Sequence, residues 1–244
     1  EKNFFWNART TFRKMTINDY RVYDFCTQDS SNFTNNNFGL KKECLKSKNF
    51  DEFFYLKGNS YLAQFIPIFN DSHEIDNFYY IHKSTNADIK IEELNKFSKI
   101  YKKTFFVTQI NNQQTLNQIL ENLKLSQLSG NIEIILIGPI PNFYETHLNP
   151  LTCMVQKIDC IVKKSFDFEQ RNLNELFNNI QKVSNYHDRI HFYNPYNFLC
   201  PEKECLIYDK DKDKLVLRDN KHLSFEGSVS LLNNFNYFIK KVLK

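Results

Sequence analysis

Two short stretches of the chain hold residue types that can cooperate in nucleophilic chemistry. One is Gly58-Asn59-Ser60, which follows an apolar run, and the other is Asp219 with His222 in the stretch RDNKHLSFEGS. A serine hydroxyl is a poor nucleophile until an imidazole takes its proton, and the imidazole works best when a carboxylate orients its other nitrogen. A Ser-His-Asp relay is therefore predicted if the fold brings the two stretches together.

Each stretch also has an ordinary structural interpretation. Gly and Asn are common turn residues and Ser is a common helix cap, so Ser60 could serve only as an N-cap. Asp219 could be a turn former, and His222 a half-buried loop histidine. Taken alone, either stretch favours the structural interpretation, so the relay depends on their proximity in the fold.

The residues beside these stretches predict how the side chains are presented. Gly58 is one of only 5 glycines in the chain, and it would allow a sharp turn that lifts the next side chains to the rim of a sheet. A helix after that turn would direct its backbone N–H groups and the positive end of its dipole toward Ser60. Ser224, shortly after His222, is expected to cap the terminal helix.

The elements that must position these residues are strands that alternate with helices. Five β-rich runs are predicted, at 53–56, 77–82, 104–109, 132–138 and 189–194. Fully apolar strands such as IEIILIG are typical of a parallel sheet that helices cover on both faces. We therefore predict an α/β fold of three α/β/α layers with about five parallel strands, in which functional residues collect at the carboxyl ends of the strands.

Three apolar stripes at helical spacing indicate the core faces of the covering helices. The stripes are Leu116, Ile119, Leu120 and Leu123; then Leu173, Leu176, Phe177, Ile180 and Val183; and finally Ser228, Leu231, Leu232, Phe235, Phe238, Ile239 and Val242.

Length and composition fit one main domain. The chain has 244 residues, 41% hydrophobic and 16% aromatic, which excludes a disordered chain and allows a large core. Residues 1–50 are polar and irregular and are predicted to form a disulfide-stapled N-terminal extension, with the main domain at 51–244.

The net charge is only +4 and no Lys/Arg cluster is interleaved with aromatic residues, so no nucleic-acid partner is expected.

No apolar run approaches the roughly 18 residues that a membrane helix needs, so this piece is expected to be soluble. The first residue is Glu1 rather than Met, so a signal peptide or a membrane part is expected to lie upstream, if there is one.

The six cysteines form three local pairs in the sequence: Cys26 with Cys44, Cys153 with Cys160, and Cys200 with Cys205. An even number at short separations indicates three disulfide-closed loops and an oxidising compartment. Metal binding is an alternative, but the chain has no C-x-x-C, and no histidines cluster beside the cysteines at zinc-site spacing. Unpaired thiols in a cytosolic protein are a further alternative, because connectivity cannot be deduced from sequence alone.

Other binding motifs are incomplete. Asp209, Asp211 and Asp213 have calcium-loop spacing, but Lys214 stands where glycine is needed and Asn220 where a bidentate glutamate is needed. We predict a charged hairpin or loop there, and no metal site. The chain lacks G-x-S-x-G, G-x-G-x-x-G and P-loop motifs, which excludes the α/β-hydrolase, dinucleotide-binding and nucleotide-binding classes.

Together, the two stretches resemble the SGNH (GDSL-like) hydrolase family, whose fold is flavodoxin-like, and more narrowly the extracytoplasmic SGNH domain of membrane acyltransferase-3 type O-acyltransferases. Residues 58–60 match the family's early Gly-Asp-Ser block, with Asn in place of Asp. Asp219 and His222, with Leu-Ser and a glycine after them, match the late Asp-x-x-His block, which is the more specific signal. The cysteine pairs and the Gly-Pro-x-Pro sequence from Gly138 are also similar, so the resemblance covers most of residues 20–244.

The resemblance implies a role for individual residues. Ser60 would be the nucleophile, His222 the general base and then acid, and Asp219 the residue that orients His222.

The family's oxyanion hole uses the serine N–H, a glycine N–H from a second block and an asparagine side chain from a third. No glycine lies between Gly58 and Gly130, and Tyr61 stands where the subgroup often has His. The oxyanion candidates are therefore Gly58, Asn59, Asn111 or its rival Gln109, and a backbone N–H near Ser84. The resemblance also implies the disulfides Cys26–Cys44, Cys153–Cys160 and Cys200–Cys205.

The resemblance further implies an O-acyltransferase that acts outside the cytoplasm. An acyl group, most commonly acetyl, would pass through Ser60 to a sugar hydroxyl of a surface polysaccharide, lipopolysaccharide or peptidoglycan. The donor would come ultimately from acetyl-CoA through a membrane acyltransferase domain, expected upstream in the same protein, so this domain would need no cofactor. It would lie in the periplasm or on the extracellular face of the membrane, as the soluble part of a larger membrane protein.

Two other functions remain open from the sequence. A carbohydrate acetylesterase of the same fold would share the acyl-enzyme and differ only in that water resolves it. A catalytically impaired SGNH domain, acting as a glycan-binding or scaffolding module, is favoured by Asn59 and by the missing glycine. The intact set of Ser, His and Asp disfavours it.

Overall fold

The computed structural model describes residues 27–29, 51–82, 91–142, 150–158, 160–163, 167–219 and 221–244. The strands are β1 (Thr27–Asp29), β2 (Glu52–Gly58), β3 (Phe78–His82), β4 (Lys103–Gln109), β5 (Ile132–Ile137), β6 (Cys160–Lys163), β7 (Ile190–Tyr193), β8 (Glu204–Asp209) and β9 (Lys214–Leu215). The helices are α1 (Ser60–Ala63), α2 (Ile66–Asp71), α3 (Ile91–Phe97), α4 (Gln113–Leu123), α5 (Pro150–Gln156), α6 (Asp167–Tyr186), α7 (Tyr196–Leu199), α8 (Phe225–Ser230) and α9 (Leu232–Val242). None of these helices of the described ranges is both long and apolar enough to cross a membrane.

Six parallel strands form the central sheet, in the order β1-β3-β2-β4-β5-β7. Five of them coincide with the five β-rich runs, so the predicted parallel sheet is confirmed. The sixth, β1, was not predicted: it pairs with Tyr80–His82 of β3 and lies within residues 1–50, where irregular structure was expected. Apart from β1, the strand order is that of flavodoxin-like folds. The direction of winding reverses between β2 and β4, so the crevice at their carboxyl ends is the expected ligand site.

Each face of the sheet carries its own hydrophobic core, because side chains alternate along a strand. On one face, Phe54 and Leu56 belong to a core that includes residues of α1, α2 and α9. On the other face, Phe53 and Tyr55 belong to a core that includes residues of α3, α4 and α6. The three predicted layers are therefore present.

The predicted apolar stripes all contribute to these cores, but the third is divided between two helices. The first two stripes lie on α4 and α6, and the third spans α8 and α9. The helical pattern is interrupted at Leu231, between α8 and α9. The Leu231 N–H donates to the Ser228 carbonyl at 3.0 Å. A bond of this spacing tightens the last turn of a helix and ends the regular α-helical pattern.

A second, antiparallel sheet of three strands has the order β6-β8-β9. Its residues Ile207 and Leu215 belong to the same core as Phe54, so the small sheet is continuous with one face of the domain. The stretch YDKDKDK forms the end of β8, a turn and the start of β9, which confirms the predicted charged hairpin.

Disulfides hold this small sheet at two points. Cys153–Cys160 joins α5 to β6, and Cys200–Cys205 joins the end of α7 to β8. Both pairings are those expected from the sequence. The expected pair of Cys26 and Cys44 lies outside the described residues.

Candidate active site

Ser60 lies at the carboxyl edge of the central sheet, beside the point where the winding reverses. Gly58 ends β2, Asn59 connects it to α1, and Ser60 is the first residue of that helix. The predicted strand-to-helix turn is thus present. No described glycine has a positive φ, however, so Gly58 does not make the turn through a left-handed conformation. The helix α1 has only 4 residues, so few aligned peptide dipoles add up at Ser60.

Asn59, not Ser60, is the residue that caps α1. Asn59 Oδ1 accepts a hydrogen bond from the Tyr61 N–H at 3.0 Å. Capping needs only an acceptor oxygen, so Asn supplies it as the family's usual Asp would. The Ser60 hydroxyl is directed elsewhere: its Oγ lies 3.2 Å from Nε2 of His222. The structure therefore brings together two residues that are 162 positions apart in the sequence.

Asp219 and His222 occupy a tight turn that is closed at its base. Leu217 and Leu223 form an antiparallel bridge on either side of the turn. Within the turn, Asp219 Oδ1 accepts the N–H groups of Lys221 and His222, both at 2.9 Å. Asp219 is thus a turn former, as its structural interpretation predicted, and the same bonds fix its carboxylate beside the imidazole.

The Asp219 carboxylate also contacts the imidazole ring. Nδ1 of His222 lies 2.9 Å from Oδ2 and 3.0 Å from Oδ1 of Asp219. Because an ionised carboxylate can only accept, we assign the proton to Nδ1, which leaves Nε2 able to accept a proton from Ser60. The His222 side chain is 9% exposed and that of Asp219 is 46% exposed, so the imidazole is shielded while the carboxylate borders solvent.

The electrostatic surroundings keep Asp219 ionised. Burial acts to raise the pKa of the Asp219 carboxyl, but hydrogen bonds from His222 and from the Lys221 N–H, with the charge of Arg218 nearby, outweigh it. The net effect is a pKa below the usual value of 3.8. The group that orients His222 therefore carries its negative charge at neutral and weakly acidic pH.

Helix α8 fixes the turn from its C-terminal side. Ser224 Oγ accepts the Gly227 N–H at 2.9 Å, which confirms Ser224 as the predicted N-cap. The Ser224 N–H donates to the Val216 carbonyl at 3.0 Å, just before the turn begins. A Cβ atom at Gly227 would lie 1.9 Å from that same carbonyl oxygen. Only glycine therefore allows α8 to approach the strand that leads into the turn.

The Tyr61 side chain covers the imidazole at the rim of the site, and Lys221 in turn lies over Tyr61. The Tyr61 ring stacks on His222, with ring centroids 5.0 Å apart and an interplanar angle of 28°. Lys221 Nζ lies 5.7 Å from the centroid of the Tyr61 ring. Tyr61 thus supplies an aromatic contact at the position where the subgroup often has His.

The predicted oxyanion candidates have different surroundings. Tyr80 Oη donates to the carbonyls of Gly58 and Asn59, at 3.0 and 3.1 Å, and so holds the backbone before Ser60. The Asn59 side chain is engaged in the helix cap. Gln109 is fully buried and donates from Nε2 to the Gly138 carbonyl at 3.2 Å, whereas Asn111 is partly exposed just after β4. Ser84 lies outside the described residues.

Gln64 also connects the site, although its sequence position alone did not single it out. Its side chain is buried between the segment after Ser60 and the segment after His222, and it bonds to both. The available signal was a lone amide within the apolar run LAQFIPIF. Buried amides need partners, so a polar residue at a core position points to a specific contact.

Two of the three aspartates with calcium-loop spacing form ion pairs. Asp209 pairs with Lys212 at 2.8 Å, and Asp213 contacts Lys157 and Tyr208. In the part of the chain that the structure describes, no three His, Cys, Asp or Glu side chains are grouped so that they could hold a metal ion.

Two solved structures are similar to the chain in fold. The periplasmic domain of a lipopolysaccharide acetyltransferase from Salmonella ser. Paratyphi A is 18% identical, with a TM-score of 0.58 over 93% of this chain and 96% of that chain. The C-terminal catalytic domain of peptidoglycan O-acetyltransferase A from Streptococcus pneumoniae, with a methylsulfonyl adduct, is 12% identical, with a TM-score of 0.47 over 80% of this chain and 96% of that chain. At 18% identity the first similarity concerns the fold alone. No curated protein matches the chain in sequence.

The sequence itself identifies the family. Residues 75–236 match the family described as "SGNH domain (fused to AT3 domains)", which is well over half of the 244 residues. The matched range includes Asp219 and His222 and begins after Ser60, so the place of Ser60 in the site depends on the geometry above. The chain belongs to the family of SGNH domains that occur fused to AT3 domains.

Proposed function

We propose that this domain is an extracytoplasmic O-acyltransferase that passes an acyl group, most commonly acetyl, to a cell-surface glycan through an acyl-enzyme at Ser60. One observation carries the proposal. Ser60 Oγ lies 3.2 Å from His222 Nε2, and His222 Nδ1 lies 2.9 Å from Asp219 Oδ2. A nucleophile within hydrogen-bond reach of a base, which a third group orients, is the arrangement that activates a serine.

In the first half-reaction, Ser60 Oγ attacks the carbonyl carbon of the acyl donor while His222 Nε2 takes the hydroxyl proton. Asp219, ionised because its pKa is lowered, stabilises the imidazolium that forms. The imidazolium then gives its proton to the leaving group. The bond between the acyl carbon and the leaving group breaks, and an ester remains on Ser60.

In the second half-reaction, a sugar hydroxyl attacks the acyl group held on Ser60. His222 Nε2 takes the proton of that hydroxyl, its oxygen attacks the acyl carbon, and Ser60 leaves with the proton returned by the imidazolium. Attack by water through the same groups would make the domain a carbohydrate acetylesterase. The acceptor that reaches the acyl-enzyme therefore decides between transfer and hydrolysis.

The oxyanion of each tetrahedral intermediate needs donors near Ser60. Ser60 is the first residue of α1, so its N–H has no acceptor within that helix and can serve this purpose. Asn111 is the proposed side-chain donor, because it follows β4 at the same sheet edge and is partly exposed. Loss of one such donor typically lowers kcat about 100- to 1,000-fold.

The proposed partner is a membrane acyltransferase domain in the same protein. The description of the family as fused to AT3 domains supports this partner. The similarity to a periplasmic domain supports a location outside the cytoplasm. The membrane domain would supply the acyl group, ultimately from acetyl-CoA, so the SGNH domain itself would bind no cofactor.

Ester hydrolysis by the wild-type chain and by Ser60→Ala tests the proposal. We expect the wild type to release p-nitrophenol from its acetate ester and Ser60→Ala to lose this activity. Ser98→Ala is the matched control, because Ser98 Oγ bonds locally to the Asn95 carbonyl at 2.9 Å. Oligosaccharide added as acceptor should then yield an O-acetylated product, detected by mass spectrometry.

Equal, slow release by the wild type and by Ser60→Ala, with no acetylated oligosaccharide, would contradict an enzymatic role. That result would favour the catalytically impaired alternative, in which the domain binds glycan or acts as a scaffold for its membrane partner.

A further inference from the structure

Gln64 is a buried polar residue whose side chain connects the two halves of the candidate site. It lies one helical turn after Ser60 and is 4% exposed. Its Nε2 donates to the Tyr61 carbonyl at 2.7 Å, and its Oε1 accepts the Leu223 N–H at 2.6 Å. Its backbone carbonyl also accepts the Ser228 hydroxyl at 2.6 Å, which adds a contact to α8.

The partners of this side chain are the chain neighbours of the relay. Tyr61 directly follows Ser60, and Leu223 directly follows His222. A single planar amide therefore bonds the backbone beside the nucleophile and the backbone beside the base. The bond from the Leu223 N–H is buried, so breaking it would leave a buried donor unsatisfied, which is unfavourable.

We propose that Gln64 is a positioning residue that sets the distance between Ser60 Oγ and His222 Nε2; this inference rests on the proposed function. Gln64 does not itself contact the reacting atoms. It acts through Tyr61 and Leu223, and only a side chain with one acceptor and one donor satisfies both. Leucine or methionine would fill the same space in the apolar surroundings without making either bond.

Gln64→Met tests this role, because methionine has a similar size and shape and lacks both hydrogen bonds. We expect kcat for p-nitrophenyl acetate to fall about 100-fold, since small displacements of reacting groups have effects of that order. KM should change little, because Gln64 does not touch the substrate.

Asn236→Leu is the matched control for a purely structural effect. Asn236 is 6% exposed and its Oδ1 accepts the Ser72 hydroxyl at 2.5 Å, so it makes a buried hydrogen bond between α9 and the end of α2, away from the relay. This variant should lower the melting temperature and leave kcat close to that of the wild type.

Gln64→Glu provides a second test that a merely structural role would not pass. In this variant, the protonated carboxyl would have a carbonyl oxygen to accept and an O–H to donate, as the amide does, whereas the ionised carboxylate has no donor. The ratio of variant kcat to wild-type kcat should therefore rise as the pH falls through the pKa of the new carboxyl. Taking the ratio removes the pH dependence that the two proteins have in common.

The outcomes separate this inference from the proposed function. If Gln64→Met keeps the wild-type kcat, the positioning role is wrong and the proposed function stands. If Gln64→Met does not fold, the Gln64→Glu ratio decides, and a ratio that stays flat with pH would overturn the role. Equal rates for the wild type and Ser60→Ala would instead refute the proposed function, and this inference with it.

Discussion

At the scale of single residues, Asp219 performs two tasks in the candidate site. Its Oδ1 accepts two backbone N–H groups and so fixes the turn, and both carboxylate oxygens contact His222 Nδ1. The structural interpretation of the motif is therefore correct, and the same residue also has the contact with His222 that the proposed relay requires. In the same way, the change from Asp to Asn at Asn59 preserves the cap of α1, because the cap needs only an acceptor.

Asp219→Asn separates the two tasks of this residue. The amide oxygen can still accept the backbone N–H groups, so the turn should persist. An amide cannot balance the imidazolium charge, and its NH₂ group facing Nδ1 would favour the wrong tautomer of His222. We expect kcat for p-nitrophenyl acetate to fall about 10⁴-fold with little change in melting temperature.

Asp71→Asn serves as the control for Asp219→Asn, because Asp71 is an exposed carboxylate at the end of α2. The control should retain the wild-type kcat. A fully active Asp219→Asn enzyme would show that the carboxylate charge is not used. Because the pKa of Asp219 lies below 3.8, the wild type should keep this charge, and its orienting effect, as the pH falls to about 5.

At the scale of elements, the position of the relay depends on how closely α8 approaches the strand before the turn. Ser224 caps α8 and bonds to Val216, and Gly227 packs directly on the Val216 carbonyl. This contact has no room for a side chain, so the glycine in the late motif is a packing requirement. The relay turn is thus held between the bridge of Leu217 with Leu223 and the first turn of α8.

Gly227→Ala should therefore displace α8. Alanine is normally the better helix former, yet its Cβ would meet the Val216 carbonyl oxygen at 1.9 Å, so the backbone must move. We expect a loss of about 3 kcal/mol in the free energy of unfolding, at the upper end for overpacking, and a reduced kcat. Urea denaturation and p-nitrophenyl acetate hydrolysis measure the two effects.

Gly130→Ala is the control for this change, because a Cβ at Gly130 would have no neighbour within 4 Å. It should leave both the stability and kcat close to the wild-type values. Similar losses in the two variants would mean that the contact between α8 and Val216 does not explain the effect.

At the scale of the whole molecule, the small antiparallel sheet continues one face of the core and leads into the relay turn. Its strands β6, β8 and β9 have only 4, 6 and 2 residues, which is little for an independent sheet. Two disulfides compensate for this, and their four cysteines are all buried within the core of that face. A chain that depends on such bonds fits an oxidising compartment.

Cys200→Ala with Cys205→Ala should lower the free energy of unfolding by about 2 kcal/mol, the loop-closure contribution expected for cysteines this close in sequence. Cys153→Ala with Cys160→Ala should have an effect of similar size, because the two separations are 5 and 7 residues. Denaturation in urea, compared with the wild type, gives both values. Unchanged stability in both double variants would show that the small sheet does not need its disulfides.

The parts of this protein that have a local signature could be predicted from the sequence. Five parallel strands could be predicted because buried strands need unbroken apolar runs, and Asp219 and His222 could be paired because they share one short turn. The strand β1 has only 3 residues, too few for a periodic pattern, and so it was missed. The contact of Ser60 with His222, and the bonds of Gln64 to the residues that follow each of them, became visible only in the folded chain. Those contacts span about 160 residues, and they arise from the winding of the sheet and the packing of α1 against the turn, which no local pattern encodes.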